Sequence, residues 1–321
     1  MRSDNLLKVH MIDSKKVPLE LSKTRLDKAS AVLFENFSRT QLKKWILEGR
    51  ITLNGEIAEP KDVVYEDDQI EIDPISEAKI EWEPENILFD VMHECEDYLI
   101  INKRSNLIMH PGAGCNSGTL ANGLLFMYPQ LSKLPRAGIV HRLDKDTTGI
   151  VLVAKNDKFR NYFITLLQNR NVKKIYKAIV VGKVIGSFSI NDPIGRDRNN
   201  RTKMAVNKNG KEAETFVKLD ENLNSYSLLD VSILTGRTHQ IRVHLAYNKL
   251  PIIGDKTYNP SGHIAKNTST AITEAIRNFP RQALHASKLS FLDQRTNREV
   301  SFNAEMPEDM SSLIFKLKKG L

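Results

Sequence analysis

The chain of 321 residues holds only two cysteines, Cys95 and Cys115, which excludes a disulfide framework and a four-ligand zinc set. Both are expected as free thiols in a reducing compartment. Residues 1–20 contain no apolar core of signal-peptide length, and no run approaches a membrane span, so the expected location is the cytoplasm with no membrane partner. A Gly-rich phosphate loop, a dinucleotide fingerprint and zinc-ligand spacing are all missing, so no cofactor and no metal are expected. Internal repeats and low-complexity tracts are lacking as well. What stands in excess is positive charge. Lys plus Arg number 47 against 39 Asp plus Glu, a net +8 that favours a polyanionic partner.

Residues 1–19 are polar and aperiodic and are expected to form a flexible arm. Within 25–34, Leu26, Ala29 and Leu33 share one helical face. Ser38 is placed as the N-cap of a second helix running to Gly49, in which Leu42, Trp45 and Ile46 recur at core spacing. Arg39, Lys43 and Arg50, with Lys44 beside them, form a basic stripe on another face; such a stripe is ordinarily a solvated surface. Asn54-Gly55 between apolar residues signals a two-residue hairpin, and residues 68–72 read as a closing strand. From 73 to 86 the sequence turns acidic and proline-marked. This places a linker at 76–87 between a unit at 20–75 and a larger one at 88–321. Alternation then predicts strands near 97–102, 175–181, 213–219, 225–234, 283–292 and 300–304, and apolar stripes predict helices over 157–170, 238–247 and 307–317. Many strands with few helices indicate an α+β fold with a mixed or antiparallel sheet.

The most informative stretch is His141-Arg142-Leu143-Asp144-Lys145-Asp146-Thr147-Thr148-Gly149, which leads into the apolar run Ile150-Val151-Leu152-Val153-Ala154. A five-residue run with three β-branched residues reads as a buried strand, and the carboxylate before it lies on a loop held by that strand. Alternation along an extended segment turns Arg142 and Asp144 to one side and His141 and Leu143, as scaffolding, to the other. A lone loop aspartate is more often a turn cap than a catalyst; the surrounding order of residues argues otherwise.

That order resembles the signature of the RluA/RluD family of pseudouridine synthases. The likeness extends to Lys174-Ile175-Tyr176-Lys177-Ala178, to Thr235 through His244, and to Pro251-Ile252-Ile253-Gly254-Asp255. His110-Pro111-Gly112 and Arg281-Gln282-Ala283-Leu284-His285-Ala286 place it nearest the RluD branch, which acts on large-subunit ribosomal RNA. The helix, basic helix and hairpin before residue 75 resemble an S4 RNA-binding domain, which those synthases also carry. The resemblance implies a bent sheet crossed by the active cleft, no cofactor, a monomer, and ribosomal RNA or its precursor particle as partner. The implied target is 23S RNA at the helix 69 stem-loop. One departure occurs at Arg104 and Asn106, where the family usually has Pro and then Gly or Asp. Asn106 can take the left-handed turn, but losing the proline loosens the loop.

The resemblance also implies roles. Pseudouridine formation breaks the bond from ribose C1′ to uracil N1 and rejoins C1′ to C5, so it needs a carboxylate and no redox carrier. Asp144 is that carboxylate; attack on C1′, attack on uracil C6 and removal of a sugar proton all remain open. Arg242 is its cationic partner, Tyr176 offers a π-face and a phenol to the uracil, and Arg142 fills the gap left by the flipped base. Arg196, Arg198 and Arg201 sit in a basic loop that is either a phosphate-contacting flap or a solvated hairpin tip. Three other readings compete: a synthase acting on other ribosomal uridines, a non-catalytic S4 protein of ribosome assembly, and a metal hydrolase built on His141, Asp144, His239 and His244. The last is disfavoured because His239 and His244 are five apart, whereas two ligands on one helix face want three or four.

Overall fold

The computed structural model describes residues 12–35, 37, 39–73, 82–112, 114–200 and 202–320. Ser38 and Arg201 lie outside the described residues. The chain divides into two compact units, Met1–Glu81 and Trp82–Leu321.

In the first unit, β1 (Asp13–Lys16), β2 (Thr24–Arg25), α1 (Leu26–Leu33), α2 (Arg39–Leu47), β3 (Ile51–Leu53), β4 (Glu56–Ile57), β5 (Val63–Val64) and β6 (Gln69–Ile72) follow in order. A sheet in the order β1-β6-β3-β4 and the pair β2-β5 enclose a core of Leu26, Ala29, Leu42, Trp45, Ile46, Ile51, Ile70 and Ile72. The Asn54-Gly55 turn joins β3 to β4 with both residues left-handed, φ 52° and 81°. The flexible arm needs correction from residue 13 on. Asp13–Lys16 pairs antiparallel with β6, and its side chains are all exposed, so polarity hid an edge strand held by backbone bonds and by polar contacts such as Lys15 Nζ to the Leu33 carbonyl at 2.6 Å. Buried Val17 anchors it.

The linker also needs correction. Residues 74–81 lie outside the described residues, but 82–87 belong to the second unit. Trp82 and Ile87 pack on its core, Asn122 donates to the Glu83 carbonyl at 2.7 Å, and the Glu85 carboxylate accepts from the Gly118 amide at 3.0 Å. Its acidic, proline-marked composition concealed these specific partners.

The second unit runs β7 (Asp90–Glu94), β8 (Tyr98–Lys103), α3 (Leu120–Met127), β9 (Thr148–Ala154), α4 (Asp157–Gln168), β10 (Lys173–Val181), β11 (Ser187–Ile190), β12 (Ile194–Arg196), β13 (Met204–Val206), β14 (Thr215–Leu223), β15 (Tyr226–Ile233), α5 (Gln240–Tyr247), α6 (Thr270–Arg277), β16 (Leu284–Leu292), β17 (Glu299–Asn303) and α7 (Glu308–Lys319). One sheet runs β11-β14-β15-β10-β16-β9-β8-β7, with β17 also on β16; β12 and β13 form a separate hairpin. All described pairs are antiparallel except β9 with β16. The sheet is covered on both faces, which explains the uninterrupted apolar run of β9. Val151 and Val153 face one core with α3 and α7, while Ile150, Leu152 and Ala154 face another with Phe159 and Phe163 of α4. Helix α5 starts at Gln240, two residues later than the pattern predicted, because His239 takes a left-handed conformation, φ 56°. Both cysteines are free, and no described helix is long and apolar enough to cross a membrane.

Candidate active site

The loop before β9 delivers Asp144 to a cleft at the middle of the sheet. At the loop's end Gly149 has φ 109°, and a Cβ there would meet the Ala286 carbonyl oxygen at 2.2 Å. Only glycine lets β9 and β16 approach this closely. The loop is braced from two sides. Lys103, fully buried at the end of β8, donates to the carbonyls of Arg104 (2.9 Å), Leu107 (3.0 Å) and Lys145 (2.9 Å). Gln282 donates to the Thr147 hydroxyl at 3.1 Å, while Arg281, in a two-pronged pair with Asp309, reaches the Asp146 carbonyl. Burial pulls the Lys103 ammonium down to about 7, against the opposing pull of Asp146 and Asp144. Asn106 does take the left-handed turn, φ 59°, and the loop that lacks proline is tied by Lys103 instead.

Asp144 Oδ2 accepts from Arg242 Nη1 at 2.9 Å, 98 residues away in sequence. The remaining edge of the same guanidinium grips Asp255, Nε to Oδ2 at 2.8 Å and Nη2 to Oδ1 at 2.9 Å. Asp255 in turn accepts the amides of Thr257 and Tyr258. Burial alone would lower the Arg242 pKa, but Asp255 and Asp144 raise it above the ordinary value. Burial pushes Asp255 upward, and Arg242 overrides that and holds it below the usual carboxylate range. The result is a rigid cation with one prong assigned to Asp144.

His239 lies on the other side of Asp144, Nε2 to Oδ1 at 3.9 Å. Its Nδ1 is 2.8 Å from the Tyr258 hydroxyl, which accepts the Met204 amide at 3.0 Å. All partners are satisfied when Tyr258 donates to Nδ1, which leaves the proton on Nε2 facing Asp144. Burial lowers the His239 pKa despite the opposing charge of Asp144, so the ring is neutral. Tyr176 lines the same cavity, opposite a bulge in β16 where Ser287 is passed over as the register with β10 shifts between Ile175 and Tyr176. Burial, then the charge of Asp144, raises the Tyr176 pKa, so it stays a phenol.

The cavity, of about 700 Å³, therefore brings Asp144, Tyr176 and Arg242 together, with Arg142 exposed on its rim. His141 and Leu143 brace the loop while also lining the cavity: His141 Nε2 accepts the Leu152 amide at 2.9 Å, and Leu143 is buried. The other predicted residues lie elsewhere. Arg39 pairs with buried Asp27 at 2.8 Å and Arg50 with Asp73 at 3.0 Å in the first unit, where Lys44 stands 3.9 Å from Glu48 and Lys43 is exposed. Arg196 and Arg198 line a shallower hollow at the β12–β13 hairpin. The tetrad weighed for a metal does not converge. Both ring nitrogens of His244 are engaged, by Thr215 and by the Asp192 carbonyl, and among the described residues no group of three His, Cys, Asp or Glu could hold a metal ion. Sequence reading left Lys103, Asp255 and Tyr258 without roles. Asp255 stood inside a recognised motif, whereas Lys103 left no more trace than one charge ending an apolar strand.

Residues 97–247 match the family model described as RNA pseudouridylate synthase, and residues 24–70 match the S4 domain. The ribosomal large subunit pseudouridine synthase D of Vibrio cholerae is 42% identical over 296 residues, 92% of this chain and 91% of that protein. The protein of the same name from Escherichia coli K12 is 40% identical over 291 residues, 90% and 89% of the two chains. The solved structure of human RNA pseudouridylate synthase domain containing 4 superposes with a TM-score of 0.56 at 23% identity, covering 71% of this chain and 93% of its own. That likeness speaks for the fold.

Proposed function

The chain belongs to the RNA pseudouridylate synthase family, and on that premise we propose that it isomerises uridines of large-subunit (23S) ribosomal RNA, at the helix 69 stem-loop, with Asp144 as the catalytic carboxylate. The bond from C1′ to N1 breaks, the uracil turns, and C1′ joins C5; C5 releases a proton and N1 gains one, so nothing is oxidised or hydrolysed. One observation carries the assignment of Asp144: its carboxylate faces the cleft while paired with a guanidinium that Asp255 holds from behind. The ion pair fixes Oδ2 and leaves Oδ1 toward the cleft and His239. Tyr176, kept as a phenol, presents a π-face and a hydroxyl to the uracil. Arg142, exposed beside the cleft, enters the stack that the flipped uridine vacates. Lys43 and Lys44, with Arg39 and Arg50, and Arg196, Arg198 and Arg201 on the hairpin loop, contact backbone phosphates and so position the RNA.

The Asp144→Asn variant tests this. It keeps shape and removes charge, so single-turnover conversion of ribosomal RNA should fall below detection while RNA affinity stays within about threefold. Activity near the parent level would sink the catalytic assignment. Pseudouridine mapping of ribosomal RNA with and without the protein tests the target, and unchanged helix 69 uridines would remove it.

A further inference from the structure

Lys174 stands two residues before Tyr176 on β10, on the same face of the strand and about 6.6 Å along it. Both side chains line the Asp144 cavity. Of the other long cations in the lining, Arg136 and Arg142 are exposed to solvent, Arg170 pairs with Glu212 and Glu214, Arg237 donates to the Glu212 carbonyl, and Arg242 holds its two carboxylates. Lys174 differs. Among the described residues its ammonium has no hydrogen bond and no ion pair. Around it lie neutral His141, whose pKa its charge helps to depress, and the bare backbone of Gly236, where even an added Cβ would stop 3.9 Å from Nζ. Burial draws the ammonium down to about 8. A half-buried cation without a counter-charge is costly in the free protein and is relieved when an anion enters beside it.

We propose that Lys174 forms a phosphate subsite, taking a non-bridging oxygen of the RNA linkage that flanks the uridine received by Tyr176. The inference rests on the reading of this cleft as the uridine site. A flipped nucleotide carries its own phosphates toward the pocket, and Lys174 and Tyr176 line the same cavity, so a base received by Tyr176 brings a phosphate to the wall that holds Lys174. The uracil itself is neutral and offers carbonyls but no full charge. A charge-assisted bond to the phosphodiester oxyanion satisfies the ammonium in a way the base does not.

The test pairs changes on both sides of the contact. Binding to a helix 69 stem-loop is measured with an ordinary linkage, or with a neutral methylphosphonate on the 5′ or 3′ side of the target uridine; 2′-O-methyl groups protect the linkage and are present in the matched controls. For the parent and Lys174→Arg, one of the two neutral linkages should weaken binding about tenfold. Lys174→Met should bind ordinary RNA about tenfold less tightly, lose nothing more to that linkage, and show a salt slope shallower by about one. Thermal melting should match the parent for both variants. If Lys174→Met binds as the parent does, or suffers the same loss from the neutral linkage, the subsite is overturned. Conversion is scored separately on the same RNA. A parent that shows the affinity pattern but forms no pseudouridine would overturn the substrate assignment and leave the phosphate contact standing.

Discussion

Arg242 and His141 solve opposite problems at adjoining points of the same site. Arg242 must stay charged, and two carboxylates hold it so. His141 must stay neutral, because its Nε2 accepts the Leu152 amide and so secures the Asp144 loop to β9; a proton on that nitrogen would remove the acceptor. Burial, reinforced by Lys174, lowers its pKa to about 3. In the unfolded chain the ring titrates near 6.5. Between those values the unfolded state binds a proton that the folded state refuses, so stability is full above about pH 6.5 and falls as pH drops toward 3. His239, His244 and His285 are lowered as well, each chiefly by burial, and add to the same slope. Urea unfolding at pH 7, 6 and 5 should show this loss, and His141→Gln, which retains an acceptor, should flatten it by up to about 1.4 kcal/mol per pH unit. An unchanged slope would show that the ring is protonated in the folded protein.

The element that decides the site is the parallel contact of β9 with β16. It aligns Thr148 with His285 and Gly149 with Ala286, and a hydrogen bond of 2.9 Å joins Thr148 Oγ1 to His285 Nδ1. Because β16 also pairs with β10, this contact sets the Asp144 loop at the β10 position that carries Tyr176. Gly149→Ala places a methyl on the Ala286 carbonyl and imposes a left-handed φ on alanine, so it should cost about 3 kcal/mol or more and abolish turnover. Gly186→Ala is the control: φ there is 71° and nothing lies within 4 Å, so about 1 kcal/mol is expected. Equal losses of melting temperature would show that φ alone, not the strand contact, governs Gly149.

At the scale of the whole molecule, each unit has its own core. Deleting residues 1–75 should therefore leave the second unit folded and able to isomerise uridine at high RNA concentration. It should weaken binding and flatten its salt dependence, the outcome expected if Lys43, Lys44 and their neighbours contact phosphates. The pair Arg39→Ala/Lys43→Ala should show a milder form, and freeing buried Asp27 from Arg39 adds a stability cost that the deletion avoids. Filter binding across a salt series decides; full affinity and slope in the truncated protein would make the basic helix a plain solvated surface.

The sequence by itself determined whatever depends on neighbours within a turn or a strand: the stripe of α4, the Asn54-Gly55 hairpin and the buried run of β9. It also carried the motifs, because the groups proposed to act on the uridine each sit in a short run of residues. Tertiary structure alone decided what depends on partners far apart in the chain. No local pattern shows that Arg242 holds Asp144 with one prong and Asp255 with the others, or that Lys103 ties two loops through three carbonyls. Nor does one show that exposed Asp13–Lys16 is a strand. Periodicity records which side of an element is buried, and these contacts are made by single polar groups whose partners are chosen by the packing of the sheet.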